Sequence, residues 1–519
     1  MRPPHPAPAA IREQWLASGA WTHDTPLARL LDGDPTAPAI VDGDERLKIG
    51  ELARRAGHLA GALSDEHGIG AGDVVTWQLP NWWEALVLTY ACWWIGAIPS
   101  PITPTLRERE VGYITGATDS RLHVAPHAFR GTDYPGLART AGYEGPILVV
   151  RGAVPLPTGD PPPVRRPDPD EAGVILWTSG TTSDPKGVVH THRALHTEAV
   201  TIAEAHELRV GDPMLLPMPV THIAGFTYGG LLPVTSGVNG ILLDVWDPGR
   251  ALALIADERI AVIISTPVFL RTMLDHPDFA TRDHSSLRLF SLGGAGVAPA
   301  MIREGTTTLG CRCKRTYGST EYPTLSTGGP DDDLDHDATT DGRLIGAGEV
   351  RIVDPTTGAD LAPGTPGELL VRGPEMFSGY LDPALDAAAF ADGGWFRTGD
   401  LAAFDGTHLV IVDRLKDIII RGGENISALE VESALVTHPA VAEAACVAMP
   451  DAVMGEKVCA FVIPAPGATP ELAGLRAHLL SAGLARFKLP ERLEVRTDLP
   501  RTASGKVRKA PLRDELRAG

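Results

Sequence analysis

The 519-residue chain is predicted to be an α/β protein: a large N-terminal domain, a β-rich subdomain after it, and a small α+β domain at the C-terminus. Three observations predict this. The length exceeds the ~250–300 residues at which one hydrophobic core stops growing. Helical periodicity alternates with short β-branched runs through the N-terminal part, the pattern of α/β layers. The texture then changes twice, to short strands and turns from Gly346 and to a mixed unit past Lys416.

Taken in order, residues 49–65 read as a helix, 73–79 as a strand and 82–95 as a second helix. The uncharged stretch 85–106 contains Pro99, Pro101 and Pro104, which leaves a helix of about 14 residues, short of the ~20 that span a bilayer. A buried core helix is expected there, and no integral membrane segment. Four tryptophans, Trp82, Trp83, Trp93 and Trp94, belong to its packing. The Pro-rich segment 155–169 reads as an exposed connector followed by a strand over 173–177, and residues 331–341 as a polar surface loop. Strands are expected at 348–353, 367–371, 408–412 and 418–420, forming the β-rich subdomain. The C-terminal unit should hold a helix over 428–437, strands over 441–447 and 458–463, a helix over 470–480 and a strand over 493–496.

With 43 % hydrophobic and 21 % charged residues the composition is that of soluble globular proteins. A net charge of −19 repels nucleic acid and anionic lipid, so neither is an expected partner. The opening residues Met1 to Pro6 lack the charged-then-apolar order of a secretion signal, and a cytoplasmic location is expected. Five cysteines without a Cys-x-x-Cys pair point to reduced structural thiols. His192 and His196 stand one helical turn apart, but without a third ligand they make no metal site.

The chemistry concentrates in Thr178-Ser179-Gly180-Thr181-Thr182-Ser183-Asp184-Pro185-Lys186-Gly187. Polyphosphate requires many donors at close range: backbone N–H groups that glycine leaves open, rotatable hydroxyls, and one cation. This run supplies all three between a strand and a helix expected to begin near Thr191. It is not a Walker loop, because Lys186 is followed by Gly187 rather than by Ser or Thr.

On these residues the chain resembles the adenylate-forming superfamily of acyl-CoA synthetases, peptide-synthetase adenylation domains and luciferase. The resemblance extends from about Leu27 to Leu516. It implies two α/β sheets plus the β-rich subdomain in the large domain (1–414), a hinge at 415–416, and a mobile small domain (417–519). Thr178, Ser179, Gly180, Thr181, Thr182 and Lys186 would hold the ATP phosphates. In Tyr317-Gly318-Ser319-Thr320-Glu321 the tyrosine and Gly318 would lie against adenine, Thr320 would bind the α-phosphate, and Glu321 would hold Mg²⁺ as a hard oxygen ligand. Gly293, Gly294 and Ala295, within Leu292-Gly293-Gly294-Ala295-Gly296, resemble the adenine-contacting loop. Asp400 would accept hydrogen bonds from the ribose hydroxyls, beside Arg414.

Lys506, in Pro500-Arg501-Thr502-Ala503-Ser504-Gly505-Lys506, matches the lysine that bridges substrate carboxylate and α-phosphate. Two anions must meet there, and a cation between them offsets their repulsion. Gly422, Gly423 and Glu424 match the segment that forms the pantetheine tunnel after the small domain rotates about Lys416.

His222, in Leu215-Leu216-Pro217-Met218-Pro219-Val220-Thr221-His222-Ile223-Ala224-Gly225-Phe226, resembles the acyl-pocket entrance. That run holds no acid to bind an α-ammonium, which favours a plain carboxylate. Gly225, Gly229 and Gly230 are read as leaving room beside it, with Phe226 and Tyr228 placed equally well in pocket or core. The implied activity is ATP-dependent activation of an apolar acid to acyl-AMP and transfer to coenzyme A, most like medium-chain and alicyclic acyl-CoA ligases of the cyclohexanecarboxylate type. The alternative is a stand-alone adenylating enzyme that loads a carrier protein or performs one half-reaction. A homodimer is left open.

Overall fold

The computed structural model describes residues 5–21, 27–153, 155–178, 184–502 and 505–518. A nine-stranded sheet runs in spatial order Arg343–Leu344, Ser326–Thr327, Arg312–Tyr317, Leu289–Gly293, Val262–Ser265, Pro213–Leu216, Asn239–Leu242, Pro38–Asp42 and Glu45–Lys48. Its central strands are parallel and its two edges antiparallel. A parallel four-stranded sheet, Ile98–Pro101, Val74–Trp77, Leu122–Pro126 and Ile147–Val150, makes the second layer.

The strand alternation builds two cores. Met214, Leu216, Val262, Ile264 and Leu289 face one core, which they share with Val75, Trp77, Leu122 and Val124 of the second sheet. Their neighbours Leu215, Ile263 and Phe290 face the opposite core. Period-two side-chain direction lets one strand serve both layers, and strands buried on both faces read as continuous apolar runs. The Trp83–Ile95 helix is apolar on every side and buried on nearly all of them. Its one buried acid, Glu84, meets the guanidinium of Arg151 at 2.8 Å. Trp82 and Trp93 are buried and Trp83 and Trp94 partly so, as expected from helix packing. No helix among the described residues is long and apolar enough to cross a membrane. All five cysteines are free and buried.

The β-rich subdomain is an antiparallel sheet of Glu349–Val353, Gly367–Arg372, Trp395–Phe404, Phe390–Ala391 and Leu409–Arg414. The chain leaves it through the single 3-10 turn Leu415–Asp417. The expected strand at 418–420 exists as Ile419–Arg421, but it belongs to the C-terminal sheet, pairing with Glu424–Ile426 and Gly455–Pro464. That sheet separates two small cores by the same alternation: Cys446, Val458 and Ala460 on one face, Val447, Cys459 and Phe461 on the other.

One further expectation is corrected and one is completed. Residues 331–341 are not all loop: Leu334–Thr339 is a short helix whose N-terminus Asp333 caps by accepting from the His336 N–H at 2.9 Å. The helix expected near Thr191 is present, and before it the sequence reading missed the strand Lys186–Thr191, paired antiparallel with Ala172–Thr178. The helix His192–Ala205 comes next, capped by Thr191 Oγ1, which accepts from the Ala194 N–H at 3.1 Å.

Candidate active site

Residues Ser179, Gly180, Thr181, Thr182 and Ser183 lie outside the described residues. The residues flanking them are described: Thr178 and Lys186 are cross-strand partners in an antiparallel pair. The Lys186 ammonium stands 5.1 Å from the centre of the Tyr380 ring, where the ring's negative face attracts it.

The same tyrosine reaches the next motif. Its hydroxyl donates to Oε1 of Glu321 at 2.8 Å, so one side chain touches both the phosphate-loop cation and the predicted metal carboxylate. The loop Tyr317–Glu321 is pinned from two further sides. His190, fully buried, bonds the Thr320 carbonyl through Nε2 at 2.7 Å, and the Phe377 N–H donates to the Glu321 carbonyl at 2.9 Å. Burial pushes the His190 imidazole down to about 4, which keeps it neutral, and the carbonyl acceptor assigns its proton to Nε2. At Gly318 any side chain is excluded, since a Cβ would lie 1.9 Å from the Pro323 carbonyl oxygen.

Asp400 is buried beside this loop. Its Oδ2 accepts from the Tyr317 hydroxyl at 2.6 Å and its Oδ1 stands 3.0 Å from Nε of Arg414. A carboxylate offers about four lone-pair directions, so two protein donors leave capacity for a diol. Gly293 ends the neighbouring strand; a Cβ there would lie 2.5 Å from the Thr316 carbonyl oxygen, and Gly294 turns the chain with φ +74°. Glycine is therefore required by packing at Gly293 and by backbone conformation at Gly294.

Lys506 enters from the small domain. Thr502 donates its N–H to the Lys506 carbonyl at 2.8 Å, and the Lys506 N–H donates to Thr502 Oγ1 at 3.2 Å. A Cβ at Gly505 would lie 2.9 Å from Cγ1 of Val268, so Gly505 stands close against the large domain. Burial first, then the nearby Arg414 guanidinium, pushes the Lys506 ammonium down to about 8, against the pull of Asp400 and Asp417. The same ammonium also depresses His222. Lys506 thus lies within electrostatic reach of Asp400, Arg414 and His222, although it is 92 residues beyond Arg414 in sequence.

Residues 27–381 match the AMP-binding enzyme family and residues 430–506 its C-terminal domain. The chain belongs to this family. It is 33 % identical to the medium-chain fatty-acid–CoA ligase of Escherichia coli over 88 % of this chain and 84 % of that one. It is 34 % identical to a salicylyl-CoA synthase / salicylate adenylyltransferase of a Streptomyces species, over 99 % and 97 %. ATP-bound MatB from Rhodopseudomonas palustris superposes with a TM-score of 0.87 at 29 % identity, covering 96 % of this chain and 99 % of that one. The AMP-binding enzyme is accordingly an adenylate-forming acid ligase of the acyl-CoA-ligase kind.

In this AMP-binding enzyme His222 caps the short Ile223–Gly225 turn, its Nδ1 accepting from the Ala224 N–H at 3.3 Å. Burial and Lys506 push its imidazole down to about 4, so it is neutral at ordinary pH. Of the three glycines expected to leave room, two do not. A Cβ at Gly225 would lie 2.0 Å from the Pro219 carbonyl oxygen, and one at Gly229 would meet Val220 at 3.3 Å and Leu216 at 3.6 Å. These two permit close packing of the turn that holds the π-helical stretch Phe226–Leu231, whereas a Cβ at Gly230 would meet only Leu86, at 3.9 Å. Phe226 packs edge-on against Trp93, while Tyr228 is buried against Glu198 and Thr324.

Gly422 and Gly423, with φ +59° and +91°, form the two-residue turn of a hairpin in which Arg421 faces Glu424. This turn is exposed and bonds within its own domain: the Gly422 N–H donates to Met454 at 2.8 Å and Arg421 pairs with Glu491 at 2.9 Å. In the orientation described, Lys506 is buried within electrostatic reach of Asp400, Arg414 and His222, whereas Gly422, Gly423 and Glu424 are exposed. Among the described residues no group of three metal-binding side chains exists, and His192 is a buried core histidine edge-on to Trp93. Reading the sequence missed His190, Tyr380 and Glu198. None lies in a motif singled out for its chemistry; Tyr380 shows only as an aromatic after Gly379, and nothing local marks its partner.

Proposed function

We propose that the enzyme activates a carboxylic acid with a largely apolar body as acyl-AMP, releasing pyrophosphate, and then transfers the acyl group to coenzyme A. The observation that carries this reading is the buried ammonium of Lys506 within electrostatic reach of Asp400, Arg414 and His222. The substrate carboxylate attacks the α-phosphorus of ATP in line and pyrophosphate leaves. The ammonium of Lys506 offsets the repulsion between carboxylate and phosphate and stabilises the charge of the transition state. Asp400 holds the ribose diol, Thr320 the α-phosphate, and Lys186 with the hydroxyls of Thr178, Ser179, Thr181 and Thr182 the distal phosphates. Tyr317, Gly318, Gly293, Gly294 and Ala295 bound the adenine, and His222 flanks the carboxylate.

Glu321 suits Mg²⁺. A single protein carboxylate, oriented by the Tyr380 hydroxyl, matches a cation that takes most of its ligands from phosphate and water. When bound, Mg²⁺ neutralises charge on the triphosphate oxygens.

For the second half-reaction the small domain turns about Leu415–Lys416, withdraws Lys506 and brings Gly422, Gly423 and Glu424 to the adenylate. The thiolate then attacks the acyl carbon and AMP leaves. Coenzyme A is favoured as acceptor because curated relatives over nearly the whole chain carry CoA-ligase names. The second name of the Streptomyces relative, salicylate adenylyltransferase, keeps loading of a carrier protein as the alternative.

The test is pyrophosphate release from ATP across a panel of acids, with and without coenzyme A. Acid-dependent release together with formation of acyl-CoA supports the reading. Acyl-AMP that accumulates and that coenzyme A does not discharge supports the alternative, and no acid-dependent release by any member rejects both.

A further inference from the structure

Asp413 is the last residue but one of the strand Leu409–Arg414, paired with Leu401 and 5 % exposed. Its Oδ1 accepts from the Arg414 N–H at 2.7 Å. Its Oδ2 reaches past the Leu415–Asp417 turn and accepts from the Ser427 hydroxyl at 2.8 Å and from the Leu429 N–H at 3.1 Å. Ser427 is itself the N-cap of the helix Ala428–Leu435: its Oγ accepts from the Glu430 N–H at 3.1 Å and lies 3.0 Å from the Val412 carbonyl oxygen. One carboxylate on the last strand before the turn thus closes the N-terminus of the first helix after it.

The first N–H groups of a helix have no partner within it, and that end of the helix carries partial positive charge. Ser427 satisfies one of them, at Glu430, from within the small domain, whereas the Leu429 N–H is satisfied from the other side of the turn. The Leu429 side chain is seated on the same junction, since a Cβ at Gly296 would lie 2.2 Å from its Cδ1. Hydroxyl, amide and side chain of one helix start therefore all rest on the large domain in the orientation that buries Lys506. Hydrogen bonds to an ionised acceptor are roughly twice as strong as neutral ones, and the helix dipole adds to them here. A turn of the small domain about Leu415–Lys416 carries Ser427 and Leu429 away from a strand that stays behind, so both bonds to Oδ2 exist in one orientation only.

We propose that Asp413 is the latch of the adenylate-forming orientation, a positioning residue that touches neither ATP nor acid and holds the small domain where Lys506 enters the site. This rests on the two-step function proposed above and deepens it by naming what sets the balance between the steps. An interaction present in one of two orientations biases their equilibrium by its own strength. Each half-reaction draws on one orientation, so the ratio of their rates follows the equilibrium constant between the two, whichever is the more populated.

The experiment measures two single-turnover rates in each variant: acyl-AMP formation with the acid of the panel above that releases pyrophosphate fastest, and thioester formation from that acyl-AMP supplied with coenzyme A. In Asp413→Ala the ratio of the first rate to the second should fall about tenfold or more, the effect of losing two hydrogen bonds to a charged group. Asp413→Asn keeps an acceptor oxygen without the charge and should lower the ratio less. Ser427→Ala removes the hydroxyl from the far side of the junction and should lower it as well, whereas Ser427→Thr keeps a hydroxyl and should keep the wild-type ratio. Because the ratio is taken within each variant, partial misfolding does not alter it. Equal loss in both halves would make Asp413 a structural cap of the helix alone and overturn the proposal. A ratio that moves in Asp413→Ala but not in Ser427→Ala would overturn it too, as the sign of a disturbed Arg414. If the wild type releases no pyrophosphate with any acid, it is the parent function that fails, and deuterium exchange on the free protein still reads the latch. Exchange in Asp413→Ala should rise at residues 427–431 and, across the junction, at 294–298, where Leu429 covers Gly296; a rise at 427–431 alone overturns the proposal.

Discussion

Asp400 and Arg414 face each other across adjacent strands, with Nε of Arg414 3.0 Å from Oδ1 of the carboxylate. The pair fixes the last residue before the Leu415–Asp417 turn to the residue proposed to hold the ribose, so nucleotide contact and domain orientation share one ion pair. Asp400→Ala removes the ribose acceptor and leaves Arg414 and the Tyr317 hydroxyl without it. Hydrogen bonds to a charged group contribute about 1.5–3 kcal/mol, so kcat/KM for ATP should fall by roughly 10- to 100-fold. Initial rates of pyrophosphate release over an ATP series check this.

The depressed ammonium of Lys506 makes adenylation pH-dependent. With its pKa lowered to about 8, the charge is present below that pH and lost as pH rises through it. The kcat/KM for adenylate formation, which reports the free enzyme, should therefore decline above about pH 8. Lys506→Arg should hold its charge to higher pH, and Lys506→Ala should lose about 10²- to 10³-fold at any pH. Thioester formation from supplied acyl-AMP should survive in both.

Tyr380 should tune the metal. Tyr380→Phe deletes the hydroxyl that orients Glu321 but keeps the ring against Lys186. The Mg²⁺ concentration for half-maximal activity should rise about tenfold, the usual size of a lost outer partner, with little change in KM for ATP at saturating Mg²⁺. Tyr380→Leu should raise both. Titration of Mn²⁺ into the ATP complex, followed by its paramagnetic signal, reports the same loss without turnover.

One contact should separate the two proposed half-reactions. A Cβ at Gly296 would lie 2.2 Å from Cδ1 of Leu429, across the large and small domains in the orientation that presents Lys506. Gly296→Val should disfavour that orientation by about 1–3 kcal/mol, the cost of overpacking. Adenylation should slow while thioester formation from acyl-AMP does not. Lys416→Pro, which stiffens the turn between the sheets, should do the converse. Single-turnover rates for each half, measured separately, check both variants.

Much was legible in the chain itself. The order of apolar runs and breakers gave the helices at 49, 83, 192, 428 and 472 to within a few residues, because capping residues and glycines act locally: Thr191 caps the helix it precedes, and Gly96 with φ +77° ends the one before it. Chemical identity was legible as well, since hydroxyls, glycines and a lysine gathered in ten residues suit one kind of ligand. The strand Lys186–Thr191 and the sheet membership of Ile419–Arg421 were not legible, because a β-run does not name its partner.

The sequence alone determined the family, the broad α/β layering and which residues could carry phosphate chemistry, since these depend on residue types and short spacings. Only the tertiary structure decided that Lys506 is buried within electrostatic reach of Asp400 and Arg414, that Tyr380 joins Lys186 to Glu321, and that His190 holds the Thr320 carbonyl. Each of these joins segments far apart in the chain, and distance in space, burial and the charge state that follows from it are properties of the packed assembly that no single stretch contains.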